Sequence, residues 1–169
     1  MLEREHCRTL WDNLEYDYEL GAEPLNIGLS IEKADEWFDE IQRLQGSKNV
    51  RLGIFLKDGT VIGDVALQGL DWCNRACDLG LGIAKIEYRG KGYGREAALL
   101  ILDYAFSHLG MERVGANTLD VNIPAQKSLE GLGFVLEGRA RQSVYLGGKK
   151  HDKLSYGILA KEFRTKWGK

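Results

Sequence analysis

Apolar residues recur along this chain with two periods, and the switch between them marks its elements. From Glu3 to about Glu15, Cys7, Leu10, Trp11 and Leu14 fall at helical spacing and predict a first helix. A second is predicted over Ile31–Gln45, where Ala34, Trp37, Phe38, Ile41 and Leu44 form one stripe. Ser30 stands at its N-cap and Gly46 just past its end. The pattern then becomes strand-like. Val50–Leu56 and Val61–Leu67 are joined by Lys57-Asp58-Gly59-Thr60, and Asp-Gly between two apolar runs signals a hairpin. A third strand is predicted over Ala76–Ile83. Helical spacing returns from Gly92 to Leu109, through Ala97, Leu100, Ile101, Tyr104 and Ala105, with Gly110 as the stop. Arg113–Val121 reads as a strand. Asn122 caps a short helix with Pro124 in its first turn and Gly133 at its end. Phe134–Leu136, Ala140–Leu146 and Lys153–Leu159 finish the chain as strands, the last two around Gly147-Gly148. This order predicts a mixed α/β (α+β) sheet, neither a doubly wound repeat nor an all-β barrel.

Composition narrows the function classes. A length of 169 residues with no repeat, low-complexity tract or linker predicts one domain over residues 1–169. A formal net charge of −2 provides no basic excess to drive counterion release, which argues against a nucleic-acid partner. Three cysteines, Cys7, Cys73 and Cys77, cannot all pair, which argues against a disulfide-stapled secreted fold. Cys73-x-x-x-Cys77 has no companion ligands, so no metal site is expected. No apolar run approaches the roughly 18–20 residues of a membrane span. The charged start Glu3-Arg4-Glu5-His6 does not read as a signal peptide. The expectation is a soluble, cytoplasmic domain with no membrane partner. Its odd feature is 21 glycines against 2 prolines.

The most informative glycines lie in Arg89-Gly90-Lys91-Gly92-Tyr93-Gly94, between a predicted strand and a long helix. Glycines let backbone N–H groups turn toward a ligand, and a helix start adds about half a positive elementary charge. With Arg89 and Lys91 beside them, they form a phosphate or pyrophosphate cradle. The loop lacks the spacing of a Walker A sequence and of the dinucleotide-binding fingerprint. A tight strand-to-helix turn remains the simpler alternative at this point.

The loop does fit Arg/Gln-x-x-Gly-x-Gly/Ala and thereby resembles the pyrophosphate loop of the GNAT superfamily of acyl-CoA-dependent N-acyltransferases. Asp78-Leu79-Gly80-Leu81-Gly82-Ile83 looks like that superfamily's fourth strand, and Arg95-Glu96-Ala97-Ala98 opens the expected helix. Asn122-Ile123-Pro124-Ala125, followed by Leu132-Gly133-Phe134, is similar to its Asn-x-x-Ala/Ser and Gly-Phe pattern. The resemblance spans roughly Ser30 to Glu162 and is closest to the bacterial branch containing ribosomal-protein and polyamine acetyltransferases. It implies a central sheet splayed between its fourth and fifth strands, with helices on both faces. Only Met1-Leu2 precedes the first helix, so either the start is truncated or the family's first strand is absent. An exposed sheet edge of that kind favours a homodimer.

The resemblance further implies acetyl-CoA as co-substrate, with backbone groups of Leu81, Gly82, Ile83 and Ala84 along the pantetheine arm. The pyrophosphate would lie on Arg89, Gly90, Lys91, Gly92, Tyr93 and Gly94, with Asn122 and Ser128 facing the cofactor. Asn122 also reads as a plain helix cap. The implied reaction is direct attack of a primary amine on the thioester, which requires a proton acceptor. Asp78 stands eleven residues before Arg89, where the histone-modifying branch carries its glutamate base. A polar residue at a strand start is the alternative reading, and Glu87 is a second candidate base. Many members carry a tyrosine seven residues after the asparagine as general acid, where this chain has Leu129. The ribosomal-protein branch often has serine three residues after it, where this chain has Ala125. Tyr93, Ser128 or Tyr145 could substitute, or the thiolate leaves unprotonated.

Between Trp11 and Leu25, Asp12, Glu15, Asp17, Glu19 and Glu23 are unaccompanied by any basic residue. They read either as an acidic lip for a cationic amine (a polyamine, an aminoglycoside or a peptide N-terminus) or as a solvated face. Asp152 is open between a hairpin bond and a substrate contact. The rival to an enzyme is a sensor or partner module of the same fold that binds acyl-CoA without turnover.

Overall fold

The computed structural model describes residues 1–15 and 29–168. Its elements are α1 (Arg4–Asp12), α2 (Glu32–Leu44), β1 (Val50–Phe55), β2 (Val61–Asp71), β3 (Ala76–Ile83) and α3 (Tyr93–Asp103). They continue with β4 (Arg113–Leu119), α4 (Ile123–Leu132), β5 (Val135–Leu146), β6 (Lys149–Leu159) and α5 (Ala160–Trp167).

The predicted hairpin forms between β1 and β2. Asp58 Oδ1 accepts the Thr60 N–H at 3.0 Å, and Gly59 supplies the left-handed residue at φ +89°. β2 runs to Asp71, past the predicted end at Leu67. Leu70 is buried there, and its N–H reaches the Lys48 carbonyl at 2.7 Å. Ser30 stands one residue before the N-cap of α2, which is Ile31. The long predicted helix is α3 followed by a wider turn over Tyr104–His108, in which the Leu109 N–H bonds the Tyr104 carbonyl. The strands predicted over Phe134–Leu136 and Ala140–Leu146 are one strand, β5, kept continuous by register shifts between Leu136 and Gly138 and between Ala140 and Val144.

The end of the chain differs from the sequence expectation, because a helix, α5, follows the last strand. Its start is closed by Glu162, which accepts the Leu159 N–H at 2.9 Å. Phe163 is buried, and Trp167 Nε1 donates to the Leu132 carbonyl at 2.7 Å. Ala160, Phe163 and Trp167 are the apolar positions of this short helix, too few to raise a periodic signal among Lys161, Glu162, Arg164 and Lys166.

The six strands form one sheet in the order β1-β2-β3-β4-β6-β5, with β3 and β4 its parallel pair. Among the described residues α1 is the first element, and β1 forms one edge of the sheet. The main apolar cluster joins Val65, Leu67, Cys77 and Val114 to Ile101, Leu102 and Phe106, and to Leu129, Leu132 and Phe163 of the later helices. A smaller cluster of Leu2, Cys7, Leu10, Ile41, Val61 and Ala84 lies under α1 and α2. Each fully buried Leu, Ile or Phe in these clusters contributes roughly 1.5–3 kcal/mol. No described helix is long and apolar enough to cross a membrane.

Candidate active site

β3 and β4 pair over only three residues: Ala76 with Arg113, Cys77 with Val114 and Asp78 with Gly115. Beyond Asp78, β3 stays in register with β2 as far as Ile83. Beyond Gly115, β4 stays in register with β6 as far as Leu119. Each strand follows its outer neighbour, so a gap opens between them with Asp78 at its apex. This is the splay expected from sequence, falling between the third and fourth strands of this chain.

The Ala84 N–H bonds the Ile62 carbonyl on β2. Antiparallel ladders alternate residue by residue, so Gly80, Gly82 and Ala84 serve β2, while Leu79, Leu81 and Ile83 turn their N–H and C=O groups toward the gap. The Ala84 carbonyl accepts the Glu15 N–H at 3.0 Å, which closes off that residue. Of the stretch Leu81–Ala84, Leu81 and the N–H of Ile83 therefore carry the open edge, the Ile83 carbonyl being taken by Arg89.

At the mouth of the gap the chain turns through Gly90 (φ +72°) and Gly92 (φ +92°) into α3. Gly92 is the N-cap and has no side chain with which to close the helix start. The first intrahelical bond runs from Glu96 N–H to the Gly92 carbonyl, so the N–H groups of Tyr93, Gly94 and Arg95 have no acceptor within the helix. Gly94 allows α3 to settle on β3, since a Cβ there would meet Leu81 Cδ2 at 3.1 Å. Lys91 is exposed, with its ammonium 5.9 Å from the centre of the Tyr88 ring. The Tyr93 side chain points elsewhere, into a surface groove with Leu52, Phe55 and Tyr104, toward the β1 edge and two strands from the gap.

Arg89 is placed differently from its neighbours in the loop. Its Nε donates to the Ile83 carbonyl at 3.0 Å, and its Nη2 donates to the carbonyls of Ala84 at 3.2 Å and Glu15 at 3.0 Å. The guanidinium thus faces backbone carbonyls at the end of β3.

Asp78 is exposed, on the face opposite Cys77, and its carboxylate lies over Gly115. Sequence reasoning missed the row it belongs to. Gln68 lies over Gly80, where a Cβ would come 2.8 Å from Nε2, and the Arg113–Glu137 pair lies over Gly157. Arg113 Nη1 donates to Glu137 Oε1 at 2.6 Å, with a second bond from Nη2 to Oε2. This contact holds the Arg113 guanidinium above its usual value and the Glu137 carboxyl below its own. Asp78 adds a smaller push on Arg113 in the same direction. Glycines inside strands were the available signal, because a strand glycine often marks close approach of another group. Glu87 sits on the short turn after β3, exposed and 3.9 Å from Lys85.

On the other side of the gap, Asn122 caps α4 by accepting the Ala125 N–H at 3.1 Å. Among the described residues its amide nitrogen has no acceptor. Leu129, at the position of the family tyrosine, is only 8% exposed and packs into the main core. Ser128 is exposed on α4. Tyr145 pairs with Lys150, seven residues along β6 from Gly157, the neighbour of Gly115. At ~3.3 Å per residue that places it roughly 23 Å along the strand from the level of Asp78. Asp152 accepts the Gln142 N–H and a bond from Arg139 Nη1, both at 2.8 Å, and so pins the irregular stretch of β5. Within the acidic segment, Asp12 is exposed and Glu15 Oε2 accepts the Ile86 N–H at 2.6 Å. Asp17, Glu19 and Glu23 lie outside the described residues.

Known proteins resemble this chain in sequence and in fold. YdaF of Bacillus subtilis is 36% identical over 108 residues, an alignment spanning 64% of this chain and 58% of that protein. A spermidine N(1)-acetyltransferase of Vibrio cholerae is 27% identical over 138 residues, spanning 79% of each chain. The crystal structure of spermidine N-acetyltransferase from Vibrio cholerae with CoA and spermine has the same fold. It superposes with a TM-score of 0.83 at 23% identity, covering 96% of this chain and 94% of that one. A sequence profile described as an acetyltransferase (GNAT) domain matches residues 11–135. That match takes in the gap, the glycine loop and both flanking helix starts, and the chain belongs to the GNAT family of acetyl-CoA-dependent N-acetyltransferases.

Proposed function

We propose that this chain acetylates a cationic primary amine, of the polyamine, aminoglycoside-like or protein N-terminal class, by direct attack on acetyl-CoA. The observation that carries the reading is a gap with an open strand edge, bounded by unclosed N–H groups at one end and a carboxylate at the other. The residues present fit the co-substrate. Left-handed Gly90 and Gly92, the first-turn N–H groups of α3 and Lys91 suit a pyrophosphate, and Leu81 and Ile83 suit the amide-bearing pantetheine arm. Bound acetyl-CoA supplies an activated acetyl thioester. An N–H of the open edge, at Leu79 or Leu81, donates to the thioester oxygen as negative charge develops there. Asp78 takes the proton of the incoming ammonium, directly or through one water. The Asn122 amide faces the cofactor from α4.

Tyr93 lines the groove toward β1, Tyr145 lies roughly 23 Å along the strand from the level of Asp78, and Leu129 is buried, so the thiolate leaves without a side-chain acid from these positions. A CoA thiolate tolerates this near neutral pH. The cationic preference is supported by Asp78, by exposed Asp12 and by the relative named for spermidine. The exposed edge of β1, with Leu52 and Phe55 more than a third exposed, supports a homodimer, which light scattering checks. Free Cys7, Cys73 and Cys77 support a cytoplasmic setting.

The test is release of free thiol from acetyl-CoA over a panel of polyamines, aminoglycosides and N-terminal peptides. Turnover with at least one cationic amine is expected. Tight CoA binding with no turnover on any of them would instead establish the acyl-CoA-binding module. Asp78→Asn is expected to lower kcat/KM by about 10²–10⁴-fold with little change in CoA affinity. An unchanged rate removes Asp78 as the base.

A further inference from the structure

We infer that Arg89 is a positioning residue that joins the cofactor edge of the sheet to the start of the α1–α2 connection, so that CoA bound in the gap firms Glu15. The inference rests on the cofactor site proposed above. Arg89 belongs by sequence to the glycine loop, yet two of its three guanidinium nitrogens are committed to backbone carbonyls. One of these is the Ile83 carbonyl, on the residue whose N–H ends the open edge. Another, Glu15, lies 74 residues away in sequence, at the end of the first described segment.

Glu15 is held at three points. Its N–H bonds the Ala84 carbonyl at 3.0 Å, its carboxylate accepts the Ile86 N–H at 2.6 Å, and its carbonyl accepts from Arg89 at 3.0 Å. All three anchors sit on the segment that runs from the open edge into the glycine loop. Glu15 is exposed, so hydrogen bonds rather than apolar burial hold it. A planar guanidinium can bridge several converging carbonyls at once, whereas an ammonium is a single point of attachment. A ligand pairing with Leu81 and the Ile83 N–H stiffens the end of β3. Through Arg89 that stiffening reaches Glu15 and, by reciprocity, whatever firms Glu15 tightens CoA.

The experiment is residue-resolved amide hydrogen exchange on the full chain, with and without CoA, alongside calorimetry for the CoA Kd. In the wild-type protein CoA is expected to slow exchange of the Glu15 and Ile86 amides by about tenfold. Arg89→Gln is expected to lose that slowing and, by the same reciprocity, to weaken CoA binding by no more than about tenfold, and Arg89→Lys to keep part of both. Slowing that survives in Arg89→Gln overturns the inference. So does a folded Arg89→Gln protein whose CoA affinity has collapsed, since the side chain would then be a phosphate ligand. Should Arg89→Gln fail to fold, Arg89→Lys decides, because wild-type slowing there means charge alone suffices. A wild-type protein that binds no CoA overturns the functional reading, and this inference with it.

Discussion

Two helices start on either side of the gap, and they start in opposite ways. α3 follows β3 and begins on Gly92, left-handed and without a side chain, so its first N–H groups stay open. α4 follows β4 and begins on Asn122, whose side chain accepts the Ala125 N–H. Gln126 then braces the same corner, its Nε2 donating to the carbonyls of Leu119 at 3.1 Å and Asp120 at 2.9 Å. Both ends carry the same partial positive charge from their dipoles. The dipole therefore does not decide where an anion binds. What decides is whether the chain has already satisfied the amides, and at α3 it has not.

The largest expected effect on CoA binding comes from spoiling the open start. Gly92→Val puts a β-branched residue at φ +92°, a strain of about 1–3 kcal/mol that the loop can relieve only by changing shape. CoA affinity measured by calorimetry is expected to fall by roughly 5–150-fold, that strain converted to a binding ratio. Gly131→Ala is the control. It lies inside α4 at ordinary φ with open space around it, so CoA affinity should hold while the melting temperature rises slightly. Unchanged binding in Gly92→Val would end the contrast between the two starts.

A smaller effect separates the two readings of Asn122. Asn122→Asp keeps an oxygen for the Ala125 N–H but loses the amide donor, and Asn122→Ala loses both. Stability to urea is expected to be near wild type in the first and about 1 kcal/mol lower in the second. CoA affinity is expected to weaken in both, and more in Asn122→Asp, where a carboxylate meets phosphates. Should both variants bind CoA like wild type, Asn122 is a cap and nothing else.

Much of this contrast was legible in the sequence, because local chemistry writes it. Gly90, Gly92, Asn122, Pro124 and Gly133 act within a few residues of themselves, and the residues of β3 were read at their observed bounds. The absent tyrosine was also legible, although only the fold shows that Leu129 closes the position with core packing. What was not legible depends on register between distant strands. Nothing local distinguishes Gly115 and Gly157 from other strand residues until β3 meets β4 and β6, and Asp78 and Arg113 lie across them. The backbone partners of Arg89 were not legible for the same reason, since Glu15 is 74 residues away. α5 was missed because its few apolar residues find their partners only in the folded core.

The smallest expected effect tests whether the β5–β6 hairpin behaves like α4, with its polar atoms satisfied by the chain itself. The Gln142 N–H, and then the Arg139 guanidinium, hold the Asp152 carboxyl below its usual value. A carboxyl whose pKa is depressed on folding stabilises the protein above its ordinary value of ~3.9, and that contribution fades as pH falls through this range toward the folded value. Asp152→Asn keeps an acceptor for the Gln142 N–H but loses the charge facing Arg139. Its melting temperature is expected to lie below wild type at pH 7, with the difference closing as the pH is lowered toward ~3 and shrinking at high salt. Acetyl transfer is expected to stay near wild type, because Asp152 bonds the hairpin's own backbone rather than facing the gap. The opposite pattern, with melting unchanged and the KM for the amine raised, would make Asp152 an acceptor contact. The hairpin would then resemble α3, a place where the chain leaves polar atoms for a ligand.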